Sequence, residues 1–221
     1  PPPAPPRPAP PRPQPPPPAP AHAPPRRHPR PADPARAACA AGTPGVQLRA
    51  KHAGDAHILE WARSIRTITR DAGSRFVVND RFDLALLAEA DAVHLGQDDL
   101  PPQALPQEAR ERLAVGRSTH TPEQLRATRE EPVDYVAFGP VFGTTSKDSA
   151  YTERGLPALR EAVALAAPRP LIAIGGIDAG RLEALRAAGV GGFAVISVVA
   201  AAEDPIAAAR ALIDGFGATP K

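Results

Sequence analysis

Residues 76–99 read FVVNDRFDLALLAEADAVHLGQDD, two short β-type runs that each end in acidic residues, with a helix-type run between them. Phe76 to Val78 is an apolar run closed by Asn79 and Asp80, and Ala92 to Leu95 is a second one closed by Gly96, Gln97, Asp98 and Asp99. Between them Leu84, Leu87 and small alanines keep helical spacing. Strand, helix and strand in about 20 residues make a β-α-β crossover, so the strands are expected to be parallel neighbours with their C-terminal ends on one face. Asp80 and Asp99 then lie side by side. Two adjacent carboxylates repel. As solvated loop residues they would need no partner, and Asp98 keeps that reading beside a functional one. For Asp80 and Asp99 a shared hard cation is the better account, because Mg²⁺ is held by one or two carboxylates together with phosphate oxygens of a substrate.

The same alternation extends in both directions. Pro34 to Ala41 has the composition of the last turns of a helix ending near Gly42, and Gly45 to Lys51 reads as a strand. Asp55 to Ala72 is an amphipathic helix with Ile58, Leu59, Ile65 and Ile68 on one side and Trp61 packing near it. Then come a helix from Pro101 to Ala114, a strand from Val115 to Ser118, a helix from Thr121 to Arg129 and a strand from Val133 to Gly139. After the loop PVFGTTSKDSAYTERG the pattern resumes: helix Leu156 to Ala167, strand Pro170 to Ile174, helix Ala179 to Ala188, strand Gly192 to Ile196, helix Pro205 to Phe216. Strand then helix, with Gly, Ser, Asp or Lys at nearly every strand end, is the pattern of an α/β fold of the (β/α)₈ TIM-barrel type, whose active site lies at the C-terminal face of the sheet.

The first 34 residues stand apart. Nineteen of them are proline, mixed with Ala and Arg. Proline lacks a backbone donor and fixes φ, so an extended or disordered tail is expected over 1–34, ahead of a barrel domain at 35–221. A ligand for an SH3-type domain and a misassigned reading frame are alternative accounts of this run. Residues 1–36 carry six arginines and one aspartate, a charge of +5 against +2 for the whole chain, so the remainder carries −3. The basic balance therefore gives no argument for nucleic-acid binding. Cys39 is the only cysteine, which excludes internal disulfides and a Cys-based metal site. No apolar run of about 18 residues and no secretory segment is present, so a cytoplasmic enzyme without membrane contact is the expectation.

Two anion pockets emerge from the residue types. In GVQLRAK, Gln47, Arg49 and Lys51 fall on one face at period two, and Val46, Leu48 and Ala50 on the other. In a helix-covered sheet such a polar face must point inward, where unpartnered cations are costly unless an anion is bound; an edge strand with charges in water is the alternative. Arg49 and Lys51 with Asp80, Asp99 and metal suit a diphosphate. Opposite them, Thr144, Thr145 and Ser146 beside Lys147 offer donors for phosphate oxygens, unless they form only a flexible polar loop. The last two βα turns, IGGID and VISV, contribute Gly176, Ile196 and Ser197 at the usual phosphate site of such barrels. Glycine at 175 and 176 is explained by close approach to phosphate, although a tight turn would also select it. Two phosphorylated small molecules facing each other suggest group transfer.

The motifs QLRAK, ND at 79–80, HLGQDD, GRSTH, TTSK, GGI and IS occur in order from Gly45 to about Gly215, and in this they resemble the thiamine-phosphate synthase family. That family joins a hydroxymethylpyrimidine diphosphate to a thiazole phosphate and releases diphosphate. The resemblance implies that Gln47, Leu48, Arg49, Ala50, Lys51, Asn79, Ser118 and Lys147 hold the pyrimidine diphosphate, with Lys51, Ser118 and Lys147 closest to the chemistry. It also implies Mg²⁺ on Asp80 and Asp99, and thiazole phosphate on Thr144, Thr145, Ser146, Gly176, Ile196 and Ser197. The reaction implied is dissociative, with diphosphate leaving before the thiazole nitrogen adds, so no side-chain nucleophile is required. Ser146 and Gly143 depart from the family's usual threonine and proline. A strand and full helix are expected before QLR, where prolines stand instead, and seven strands do not close an eight-stranded barrel. Either a start-site or frame error removed the first strand, or the chain is a defective form.

Two rival readings remain. A thiazole tautomerase of the TenI type would use His120 for acid-base work and is expected to lack the Asp80 and Asp99 pair. A non-catalytic thiazole-phosphate-binding or regulatory protein would bind without turnover. Assembly into a homo-oligomer is left open by the sequence.

Overall fold

Parallel strands in strict chain order build the sheet: β1 (Gly45–Leu48), β2 (Arg75–Asn79), β3 (Ala92–Leu95), β4 (Ala114–Thr119), β5 (Tyr135–Phe138), β6 (Leu171–Ile174) and β7 (Gly192–Ala194). The computed structural model describes residues 31–143 and 152–217. The helices are α1 (Ala32–Ala40), α2 (Asp55–Ala72), α3 (Phe82–Leu87), α4 (Gln107–Arg112), α5 (Pro122–Ala127), α6 (Gly155–Ala166), α7 (Leu182–Ala187), α8 (Ser197–Ala200) and α9 (Pro205–Gly217). Each strand thus pairs with the next one in the chain, as the repeated crossover requires.

Among the described residues β1 and β7 are the sheet's two edges and do not pair with each other. The architecture is therefore a curled, seven-stranded parallel α/β sheet of the TIM-barrel kind, open on one side. The helical layer continues across that opening. α1 packs against α2 on one side and α9 on the other, and the Arg210 guanidinium donates to the Ala40 carbonyl at 3.2 Å. The helical turns expected from Pro34 to Ala41 are present as this nine-residue helix, which starts two residues earlier, at Ala32. The remainder of the proline-rich run, 1–30, lies outside the described residues.

Side chains alternate across each strand as period two demands. One set faces the helices and forms the core, with Phe76, Val78, Val93, Leu95, Val115, Val136 and Phe138 packed on Ile58, Ile65, Leu125, Leu159 and Leu185. The other set faces the interior of the curled sheet and is more polar, including Gln47, Asn79, His94, Ser118 and Tyr135. Several expected elements are shorter than read, β5 and β7 among them. β1 stops at Leu48, and Lys51 already belongs to a turn. The helix expected over 101–114 is a single 3₁₀ turn at Pro102–Ala104 followed by α4, because Pro106 removes a backbone donor where the helix would have run through.

Register is locked at the N-terminal end of the sheet by a device used twice. The Asp91 N–H donates to Phe76 O at 2.9 Å, while its carboxylate accepts from the Phe76 N–H at 2.6 Å and from Arg66 at 2.8 Å. Asp134 repeats it two strands on, donating to Val115 O at 2.8 Å and accepting from the Val115 N–H at 2.7 Å. Each aspartate precedes its own strand and clamps the strand before. Val115 is 2% exposed, so Asp134→Ala leaves a buried N–H unpaired. The expected loss is about 1–3 kcal/mol of stability, read as a lower urea midpoint at unchanged slope.

Candidate functional site

The carboxylate pair is assembled by backbone geometry. Asp80 adopts a left-handed conformation with φ 66°, and its N–H donates to the His94 carbonyl at 2.8 Å, which turns the end of β2 toward β3. Non-glycine residues reach this region at a cost and concentrate at functional sites. The HLGQDD turn brings in Asp99. Its Oδ2 accepts from the Gly96 N–H at 2.6 Å, and the Gly96 carbonyl accepts from Arg117 Nη1 at 2.5 Å. Arg117 is only 6% exposed and sits 3.5 Å from Glu131. Gln97 Nε2 donates to Ser118 O at 2.6 Å, so the same turn is also tied to β4.

Asp80 and Asp99 border the same cavity, close enough for each to shift the ionisation of the other. Burial, followed by the neighbouring Asp99, pushes the Asp80 carboxyl up to about 6, with Lys51 at 3.5 Å pulling the other way. Burial also opposes ionisation of Asp99, but Asp80, the Gly96 N–H, Lys51 and Arg117 together hold it below the usual range. Two carboxylates this close compete for a single positive charge. A cavity of about 410 Å³ borders Asp80, Arg81, Phe82, Asp83, Asp99 and Leu100. Among the described residues no third His, Cys, Asp or Glu joins the pair to form a larger ligand cluster. That donor set fits a hard dication taking its remaining oxygens from phosphate and water, and it does not fit zinc, which requires three or four protein ligands.

The other expected residues fall on the same face, at the C-terminal ends of the strands. Gln47 is exposed on the inner side of β1, and Arg49 and Lys51 are exposed just beyond it. Leu48 is 5% exposed within the core and Ala50 packs against that core, so only their backbone faces the mouth. Asn79 is half-buried, and Ser118 Oγ lies 2.8 Å from His94 Nε2. Thr144, Thr145, Ser146 and Lys147 lie outside the described residues, but both stems of their loop are anchored. Gly143 N–H donates to Glu153 at 3.0 Å, and the Arg154 and Gly155 N–H groups donate to Pro140 O and Val141 O at 2.9 and 2.8 Å. Ile196 is 53% exposed at the end of β7, beside exposed Ser197.

Glycine at 175 and 176 has its cause within the chain. Gly176 has φ 62°, and a Cβ there would fall on the Gly143 carbonyl and the Phe142 backbone. A Cβ on Gly175 would strike Pro140. The turn alone thus selects both glycines, and they carry no independent information about phosphate. Two arginines missed in the sequence organise these turns. Arg181 donates to the Gly176 carbonyl, pairs with Asp178 at 3.4 Å and stacks its guanidinium 4.5 Å from the Phe142 ring centre. Arg81, in the NDR motif, bridges Asp55 and Asp83, joining the starts of α2 and α3 beside the cavity at Asp80 and Asp99. Their partners are far apart in sequence or in irregular loops, so no periodic signal marks them. His120 is engaged structurally, with Nδ1 donating to the Gly139 carbonyl at 2.6 Å.

The family model described as thiamine monophosphate synthase matches residues 25–199. The chain belongs to that family. A thiamine-phosphate synthase of Methanoculleus marisnigri is 44% identical over 186 residues, covering 84% of this chain and 88% of the relative. One of Synechococcus is 44% identical over 182 residues, covering 80% of this chain, which spans only 50% of that longer relative. Among solved structures, a thiamine phosphate pyrophosphorylase from Pyrococcus furiosus superposes with a TM-score of 0.75 at 32% identity, covering 84% of this chain and 88% of its own. Membership of the thiamine monophosphate synthase family agrees with the order of motifs around the mouth. None of the helices among the described residues is long and apolar enough to cross a membrane.

Gly176→Ala is expected to lower stability by about 1–3 kcal/mol through the left-handed backbone, with a further loss from the displaced 140–143 segment. A thermal melt of the variant beside Gly180→Ala, which lacks the positive φ, measures it.

Proposed function

We propose that the chain is a Mg²⁺-dependent thiamine-phosphate synthase, a transferase that moves a pyrimidinylmethyl group from diphosphate to a thiazole phosphate. The single observation that carries the reading is the Asp80–Asp99 pair, with Lys51 3.5 Å from Asp80 at the open end of the sheet, in a chain of this family. A tautomerase has no use for such a pair, and the commitment of His120 Nδ1 to Gly139 favours a structural role for that histidine.

In this reading Asp80 and Asp99 hold Mg²⁺, which when bound neutralises charge on the leaving diphosphate. Arg49 and Lys51, exposed just beyond β1, grip the same diphosphate, and the family resemblance assigns Lys147 to it as well. Gln47, Asn79 and Ser118 line the inner wall where the pyrimidine rests, with the backbone of Leu48 and Ala50 beside it. Gly176, Ile196 and Ser197 receive the thiazole phosphate, and the family resemblance adds Thr144, Thr145 and Ser146. The methylene C–O bond breaks with both electrons leaving on diphosphate, and the thiazole nitrogen lone pair forms the new C–N bond. No proton is transferred, so the protein's work is positioning and charge stabilisation. A cytoplasmic setting belongs to the same proposal, since both substrates are phosphorylated.

The test is formation of thiamine phosphate from both substrates, with product expected in Mg²⁺ and none in chelator. Asp80→Asn should lower kcat by at least about 10²-fold, and unchanged turnover would remove the metal assignment. Lys51→Ala should weaken pyrimidine diphosphate binding by about 10- to 100-fold while leaving thiazole phosphate binding nearly intact. Equal loss of both in calorimetry would contradict two separate pockets.

A further inference from the structure

His94 and Tyr135 take no part in the chemistry above, yet they lie directly beneath it. The sheet register sets Asn79, His94, Gly116 and Tyr135 side by side across β2 to β5. Gly116 makes the space in which the two rings meet: a Cβ there would collide with the Tyr135 ring and lie 2.6 Å from His94 Nδ1. Tyr135 Oη is 3.1 Å from His94 Nδ1, and His94 Nε2 is 2.8 Å from Ser118 Oγ. The rings stack with centres 5.6 Å apart, and His94 is 7% exposed. Burial raises the Tyr135 pKa well above its ordinary value, so it stays a neutral phenol.

The direction of this chain of hydrogen bonds follows from donor counting. Tyr135 is half-buried, and its phenol places its one O–H on the acceptor it meets inside the sheet, since a donor left idle there costs more than an idle lone pair. Among the described residues the acceptor in reach is His94 Nδ1. A neutral imidazole accepting at Nδ1 carries its proton on Nε2, and that N–H then donates to Ser118 Oγ. Ser118 cannot point its own hydrogen back at Nε2. Its O–H is left for the mouth of the site.

We propose that Tyr135 and His94 are positioning residues that fix the His94 tautomer and thereby hold Ser118 as a hydrogen-bond donor, selective for an acceptor such as an unprotonated ring nitrogen on the heterocyclic substrate. The choice of substrate atom rests on the synthase reading, which places the pyrimidine against Ser118. The tautomer itself does not. Without the phenol, Nδ1 loses its donor and can carry the ring proton itself, and Ser118 turns toward Nε2 and presents an acceptor instead.

The test is long-range ¹H–¹⁵N NMR of the full chain labelled at histidine, read at a pH where His94 is neutral, for wild type and Tyr135→Phe. Wild type should show the Nε2–H pattern for His94, and Tyr135→Phe should shift it toward Nδ1–H. In the same variant KM for the pyrimidine diphosphate should rise about tenfold, the worth of one hydrogen bond, with KM for thiazole phosphate unchanged. Gly116→Ala, which crowds the same junction, should perturb the His94 resonances without removing any hydrogen-bonding group. An Nδ1–H pattern in wild type overturns the proposal, as does a Tyr135→Phe variant with unchanged tautomer or unchanged KM. A wild-type chain with the Nε2–H pattern but no synthase activity supports the relay and contradicts the activity reading.

Discussion

Two carboxylates, at the end of one strand and just beyond the end of its neighbour, are brought close together by the parallel register of β2 and β3, and much of the surrounding structure serves that pairing. Asp80 is held in a left-handed turn by its bond to the His94 carbonyl. Asp99 is held by the Gly96 N–H, and Gly96 in turn by buried Arg117. Burial disfavours the Asp80 carboxylate and the neighbouring Asp99 repels it, which together push its carboxyl up to about 6. In the proposed reading a hard cation shared by both carboxylates would offset the repulsion, and the adjacent cations of Lys51 and Arg49 would extend the positive field toward a diphosphate.

The fold supplies this arrangement cheaply. Parallel strands joined by short crossovers place all their C-terminal ends on one face, so polar residues there converge without long loops. The N-terminal end does the opposite job. Asp91 and Asp134 lock the preceding strands there, so the strand ends across the sheet are set in register by interactions remote from the chemistry. The opening between β1 and β7 leaves this logic intact, since the described candidate residues are carried on β1, β2 and β4, on the turns after β1, β2 and β3, and on the turns after β6 and β7.

Much of this was legible in the sequence where a periodic signal exists. The strand-helix repeat, the inward face of Gln47 and the adjacency of Asp80 and Asp99 all follow from spacing alone. Boundaries followed less well, because Pro106 divides the stretch after β3 into two short turns that hydrophobic spacing alone does not separate. Glycine was ambiguous for a different reason: at 175 and 176 a positive φ and the approach of residues 140–143 select it, whatever ligand lies nearby. Arg81, Arg117 and Arg181 were invisible as organisers because each reaches partners set by tertiary placement. The role of the QLRAK cations, and of the hydroxyls at 144–146, rests on residue type and family, since the former are exposed and the latter lie outside the described residues.

The most direct test of the central claim is a calorimetric titration of Mg²⁺ into metal-free protein in the presence of inorganic diphosphate, comparing wild type with Asp80→Asn and Asp99→Asn. The account predicts saturable binding in the wild type that either substitution removes. Equal binding in all three proteins would contradict it, showing that the carboxylate pair is not where the cation sits.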